Sequence, residues 1–291
     1  MKKTTVAVVF LAMALLMTFA VVQVDARKPE VIYDSFLHFT QTRGTLGGAD
    51  YELLMPDNWN EKIVIGLRGY EGPVMPPMSD TYWEHGVAMA FVANPSNPPR
   101  FAFAWSTYGE GGWCIDAAMI RTHQLTEYVV ENYNVQGEVF LLAFSMGGDI
   151  GCMLAEKYPE LYDGVLDVCG VKDMKSSWSP GFVDMEIECG GTPETKPQAY
   201  ERRSATYHAG ITIPVISIIG ELDPLVPIAQ FDMYYDAVEA AGCLNYYRSY
   251  IITGGHHLDG PIQAAISPLF MTLVKWVVNG IVPDPTPPPI P

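Results

Sequence analysis

The sequence predicts an α/β fold with a mostly parallel central sheet and helices on both faces. Three observations carry this expectation. Strand-length apolar runs recur along the 291-residue chain, stretches of helical character separate them, and each run is apolar nearly throughout rather than at every second residue. A strand buried on both faces reads that way, whereas a half-exposed antiparallel strand alternates.

Taken in order, the extended segments near 30–40 and 49–55 suit an antiparallel edge to the sheet. The runs KIVIGL (62–67) and VAMAFV (87–92) are predicted as buried strands. DAAMIRTHQLTEYVVENY (116–133) is predicted as a helix, with Asp116 as N-cap. EVFLLAF (138–144), DGVLDVCG (163–170), PVISIIG (214–220) and YYRSYIIT (246–253) are further strands. Helices are predicted near 147–157, 227–241 and 262–278. Residues 171–212 break the alternation, mixing Trp178, Phe182 and Tyr200 with glycine and proline. So long a connection inside a compact domain is expected to be a small functional lid. The proline-rich end, VPDPTPPPIP (282–291), is expected to be disordered.

Residues 1–26 carry two lysines, a long apolar run and then Val24-Asp25-Ala26. That is the pattern of a secretory signal cut near Ala26. The expectation is export, to the periplasm or the outside, leaving one large domain over 27–281. Membrane attachment is expected only if the segment stays uncleaved, since its apolar run approaches the length of a span. The net charge of −16 opposes binding to phosphate backbones, so no nucleic-acid partner is expected. Five cysteines show no C-x-x-C spacing, which leaves neither a zinc site nor a dithiol redox motif. Cys152 and Cys169 fall in apolar patterns and read as buried thiols. Cys114 and Cys189, in loop-like segments, are the better disulfide candidates.

Chemistry is suggested by VFLLAFSMGGDIG (139–151), in which AFSMG differs by one residue from the G-x-S-x-G nucleophile elbow. The elbow needs small residues two before and two after the serine, because strand and helix backbones pass close there. Ala143 and Gly147 meet that need. A serine nucleophile requires a base, and the base an orienting acid. Downstream, ISIIGELDPLVP (216–227) ends a strand with Asp223 on a loop, and YIITGGHHLDG (250–260) ends another with His256 and His257. All three lie where strands give way to loops at the carboxyl edge of the sheet.

From about residue 60 to 280 the chain resembles the α/β-hydrolase fold serine hydrolases, particularly their esterase and prolyl-oligopeptidase-like branches. FSMGG is similar to the family's elbow, GELDPLVP to its acid loop and TGGHHLDG to its histidine loop. The resemblance implies Ser145 as nucleophile, Asp223 as acid and His256, which directly follows a glycine, as base; His257 is the alternative base. Glu221 and Asp259 are weaker rivals to Asp223. It further implies an oxyanion hole from the amides of Met146 and Tyr70, the latter in IVIGLRGYEGP (63–73), where Arg68 replaces a usual histidine. Arg68 is expected in a structural ion pair. Tyr70, Tyr108, Trp113 and Trp178 are candidates to line an acyl or aromatic pocket, although core and lid packing is the expectation for any single one. His85, His123 and His208 have no ligand-like spacing, and no cofactor or metal is expected.

The resulting expectation is a secreted hydrolase of a small-molecule or polymeric carboxylic ester, acting through an acyl-enzyme. A prolyl-oligopeptidase-like peptidase and a polyester depolymerase are the enzyme alternatives. A catalytically dead surface binding protein is the non-enzyme alternative.

Overall fold

A computed structural model describes residues 29–75, 78–80, 83–92 and 100–284. The predicted signal segment and most of the proline-rich end lie outside the described residues. Nine strands form one sheet: β1 (Glu30–Asp34), β2 (Phe39–Leu46), β3 (Ala49–Pro56), β4 (Trp59–Leu67), β5 (Arg100–Ser106), β6 (Val139–Phe144), β7 (Gly164–Val168), β8 (Val215–Gly220) and β9 (Tyr247–Ile252). Their spatial order is β1-β2-β3-β5-β4-β6-β7-β8-β9. The first three strands and the β3–β5 pairing are antiparallel, and every pairing from β5 to β9 is parallel.

The helices are α1 (Trp83–Val92), α2 (Ile115–Asn132), α3 (Met146–Lys157), α4 (Met174–Ser177), α5 (Val183–Cys189), α6 (Pro197–Glu201), α7 (Ala229–Ala240) and α8 (Gly260–Asn279). They cover both faces. On one face Leu125 and Val129 of α2, Ile150 and Leu154 of α3, and Tyr234 and Val238 of α7 join a core with Ile63, Leu141 and Val165. On the other, Ala88 and Val92 of α1 and Leu269, Phe270 and Leu273 of α8 pack on Val64, Phe140 and Ile216. Burial on both sides explains why β6, β7 and β8 are wholly buried and read as mainly apolar runs.

Two expectations are corrected. VAMAFV (87–92) is the end of helix α1, not a strand. Its buried residues are Glu84, Ala88 and Val92, spaced by four, so one helical stripe faces the sheet. A short apolar run has no period of its own to separate strand from helix. The strand omitted above is RFAFAWS, which forms β5 and joins the antiparallel edge to the parallel part. The suggested Cys114–Cys189 bridge is not formed either, because all five cysteines are free thiols. Cys114 Sγ instead meets the Arg68 guanidinium at 3.5 Å.

The expected insertion, 171–212, holds α4, α5, α6 and a 3-10 turn at Ala205–Tyr207. At the opposite edge, Glu52 of β3 is fully buried and joins the sheet to α1. Its carboxylate accepts from Arg43, Gln41 and Trp105 and lies 2.9 Å from His85 Nδ1. Burial pulls this carboxyl up, but the bonds from His85, Trp105 and Arg43 outweigh it and hold the group at about 2.

Candidate active site

Ser145 occupies the single residue between β6 and α3, with φ 53° and ψ −116°. Positive φ is costly for a residue bearing a Cβ, and it is held here by its surroundings. The Ser145 amide donates to Val168 O at 3.0 Å, and its carbonyl accepts from Val171 N at 3.0 Å and Gly148 N at 2.9 Å. Small residues make the bend possible. A Cβ on Gly147 would lie 2.4 Å from the Leu67 carbonyl oxygen, and one on Gly148 would meet Gly170 Cα at 2.4 Å. Ala143, in the elbow's first small position, is completely buried, and a Cβ added at Gly151 would reach its methyl at 3.0 Å.

Asp223 follows β8 on a loop that turns back on itself. Its Oδ1 accepts from Leu225 N and Val226 N, both at 2.9 Å, leaving Oδ2 to face a histidine. Burial raises this carboxyl, yet the bond from His257 and the two amides more than compensate, so it stays below the usual carboxylate range. The facing histidine is His257. Its Nδ1 lies 2.7 Å from Asp223 Oδ2 and its Nε2 3.0 Å from Ser145 Oγ.

His256, the base implied first by the resemblance, stands elsewhere. Its side chain is about half exposed, and its Nδ1 faces Asp259 Oδ2 at 3.3 Å. The backbone explains the exchange. Leu222 N donates to the Gly255 carbonyl and Gly254 N to Glu221 Oε2, pinning the start of the histidine loop on the acid loop. The next side chain, His256, then turns to solvent, and the one after it turns inward. Asp259 is the N-cap of α8, and Glu221 holds Gly254, so both rival acids are engaged away from Ser145 and His257.

The expected oxyanion donors flank the serine. Neither the Met146 amide, at the start of α3, nor the Tyr70 amide takes a hydrogen-bond partner among the described residues. Gly69 lies against Ser145, since a Cβ there would sit 3.3 Å from Ser145 Cβ. Arg68 braces that loop in a way not foreseen. It is fully buried and forms no ion pair among the described residues; its guanidinium donates to the carbonyls of Thr107, Gly69 and Glu110 and lies 4.4 Å above the Tyr108 ring. The Tyr70 hydroxyl donates to Asp184 of α5, a bond that raises the phenol to about 12.

A cavity of about 490 Å³ opens beside Ser145 and His257. Of the aromatic candidates, Tyr70 and Trp113 line it, joined by Trp83, Phe144 and Phe182, whereas Tyr108 lies under Arg68 and Trp178 donates to Glu186. Ser177, Ser179, Phe182 and Met185 bring the 171–212 segment into its wall. Two carboxylates of the cavity wall escaped the sequence reading, Glu71 and Glu84. Glu84 lies just before the run taken for a strand, and the helical spacing of Glu84, Ala88 and Val92 turns it inward.

Among the described residues two side-chain clusters have the spacing of metal ligands, Cys169 with Asp223 and His257, and Glu52 with Asp80 and His85; in the second, Arg43 already bonds both carboxylates.

A serine displayed at a strained elbow, an imidazole bridging it to a buried carboxylate, and two free amides form the constellation of acyl-transfer catalysis. In sequence, the family model of the prolyl oligopeptidase family matches residues 121–279, more than half of the chain and all three of these residues. The chain belongs to the prolyl oligopeptidase family. Its members' fold is also what similar solved structures share. One from a study of two prolyl endopeptidases has a TM-score of 0.62 at 15% identity, covering 86% of this chain and 44% of that one. Pyrococcus horikoshii acylaminoacyl peptidase gives 0.62 at 14%, covering 87% and 42%. Porphyromonas gingivalis dipeptidyl peptidase 4 gives 0.60 at 12%, covering 87% and 35%. The chain thus spans less than half the length of each of these, and at such identities the likeness concerns the fold. No curated protein matches the chain. As a member of this family, the chain has the α/β-hydrolase fold.

Proposed function

We propose that the chain is a serine peptidase acting on short peptides, with Ser145 as nucleophile, His257 as base and Asp223 as the orienting acid. The observation that carries this reading is the continuous relay from Ser145 Oγ through His257 to Asp223, with contacts of 3.0 and 2.7 Å. Ser145 attacks the carbonyl carbon while its proton passes to His257 Nε2. The developing oxyanion is taken by the amides of Met146 and Tyr70. Collapse of the tetrahedral species breaks the C–N bond, and His257 hands its proton to the departing amine. Asp223 keeps the imidazole in the required tautomer and stabilises its charged form. Water, activated by the same histidine, then releases the acyl group and restores the serine.

Family membership favours a peptide bond over the carboxylic ester expected first from the sequence. The charged start, apolar run and Val24-Asp25-Ala26 support export of the mature chain, for which N-terminal sequencing of secreted protein is the test. For the activity, a fluorophosphonate probe is expected to label the wild-type protein and not Ser145→Ala. Labelled protein is then expected to hydrolyse peptidyl p-nitroanilides as well as p-nitrophenyl esters. Ester turnover with no anilide turnover would sink the peptidase reading. A folded protein that takes no label is the outcome belonging to a dead binding protein.

A further inference from the structure

Glu84, in the first turn of α1, forms part of the cavity wall beside Ser145. The residue is 2% exposed, and its Oε2 has no hydrogen-bond partner among the described residues. Burial pushes the carboxyl up to about 7; its own backbone amide and Arg68 pull it down, while Glu71 adds to the rise. A buried carboxylate lacking a donor is costly, and a ligand that brings donors removes the cost.

The nearby cation does not supply them. Arg68 commits its guanidinium to the Thr107, Gly69 and Glu110 carbonyls and to Cys114 Sγ. Glu71, on the open side of the same cavity, feels Arg68 too and is raised chiefly by burial. Both carboxylates feel the Arg68 charge without pairing to it, and the site is one positive charge short when both are ionised. Around them stand the rings of Trp83, Tyr70, Trp113 and Phe144, whose faces attract a cation.

We propose that Glu84, with Glu71 at the open side, forms an acidic subsite that selects substrates carrying a cationic group close to the bond Ser145 attacks. The substrate class is a peptide with an ammonium or guanidinium near its scissile bond, a refinement that rests on the peptidase reading above. Glu84 makes a charge-assisted hydrogen bond to that group in the dry part of the cavity. Glu71 attracts it on entry.

The test measures the rate of fluorophosphonate labelling of the full chain at pH 8 in the presence of benzylamine or benzyl alcohol, a charged and a neutral ligand of similar shape. Benzylamine is expected to slow labelling at a concentration at least about tenfold below that needed for the alcohol. This ratio is expected to fall towards one in Glu84→Gln and to recover partly in Glu84→Asp. Equal protection by the two ligands in the wild type overturns the subsite, and that comparison stands even if the Gln variant fails to fold. An undiminished amine preference in folded Glu84→Gln overturns the assignment to Glu84. No labelling of the wild type overturns the hydrolase reading, and the subsite with it. Turnover divides the source of charge: anilides with a free α-amine and anilides with a lysine side chain are each compared with their acetylated forms. A preference for either charged form supports the proposal, and equal turnover within both pairs overturns it.

Discussion

His257 Nδ1 lies 2.7 Å from Asp223 Oδ2, and this pairing, rather than the glycine-histidine adjacency in the sequence, decides which imidazole serves Ser145. The neighbouring His256 reaches Asp259 instead, on the solvent side of the same loop. His257→Ala is therefore expected to lower kcat on a peptidyl anilide by at least about 10³-fold, the scale of losing a triad member. His256→Ala removes only an exposed contact worth less than about 1 kcal/mol and is expected to retain most of the activity. The comparison needs only the two kcat values, and the reverse ranking would return the base to His256.

Gly147 is the second place where the elbow allows no freedom. A Cβ there meets the carbonyl oxygens of Leu67 and Arg68 at 2.4 and 2.8 Å, and both are backbone atoms at the end of β4. That end leads directly into Gly69 and Tyr70, so relief of the clash displaces the oxyanion loop. Gly147→Ala is expected to cost about 1–3 kcal/mol in unfolding free energy, the usual penalty for overpacking. Its kcat is expected to fall while KM changes less, because the displaced amide acts on the transition state. Denaturant unfolding and steady-state kinetics on one preparation check both.

The strands were legible where burial on both faces made them mainly apolar, as in β6 to β8. Ser145 and Asp223, the proposed nucleophile and acid, were legible as candidates for a related reason: strand ends, small residues and turn-forming prolines mark them locally. The proposed base was not, because His256 and His257 carry the same chemistry. The choice between them depends on Leu222 N holding the Gly255 carbonyl, a contact between loops far apart in sequence. Glu84 was hidden by the misread of 87–92, in which an apolar helix end passed for a strand. Arg68 was visible as a departure from the resemblance, but its partners are main-chain carbonyls, which leave no trace in a sequence.

Glu52 makes the antiparallel edge sensitive to acid. Its carboxyl stands at about 2 in the folded protein against 4.5 for the free group. A depressed carboxyl stabilises the fold fully above its unfolded value, and the contribution disappears as pH falls through the folded one. The loss is expected between about pH 4.5 and 2 and is on the order of 3 kcal/mol. Urea midpoints measured across that window should fall steeply for the wild type. Glu52→Gln is expected to be weaker at pH 7 and to show a flatter acid limb; an unchanged limb would remove Glu52 from the account.

Glu84 has the opposite sign. Its carboxyl is raised to about 7 in the folded protein from 4.5. Between those values the native state binds more protons than the unfolded one, so this group's contribution falls as pH rises through the window and stays low above it. At pH 8 the buried charge costs the fold on the order of 3 kcal/mol relative to a neutral side chain of the same shape. Glu84→Gln is accordingly expected to be more stable than the wild type at pH 8, with a gain that shrinks towards zero near pH 4.5. Paired thermal melts at the two pH values read this directly. A Gln variant that is less stable at both would mean that the folded chain already partners the Glu84 carboxylate. A variant that gains stability at pH 8 while losing its preference for amines would show a site that gives up folding free energy to hold a charge ready for its ligand.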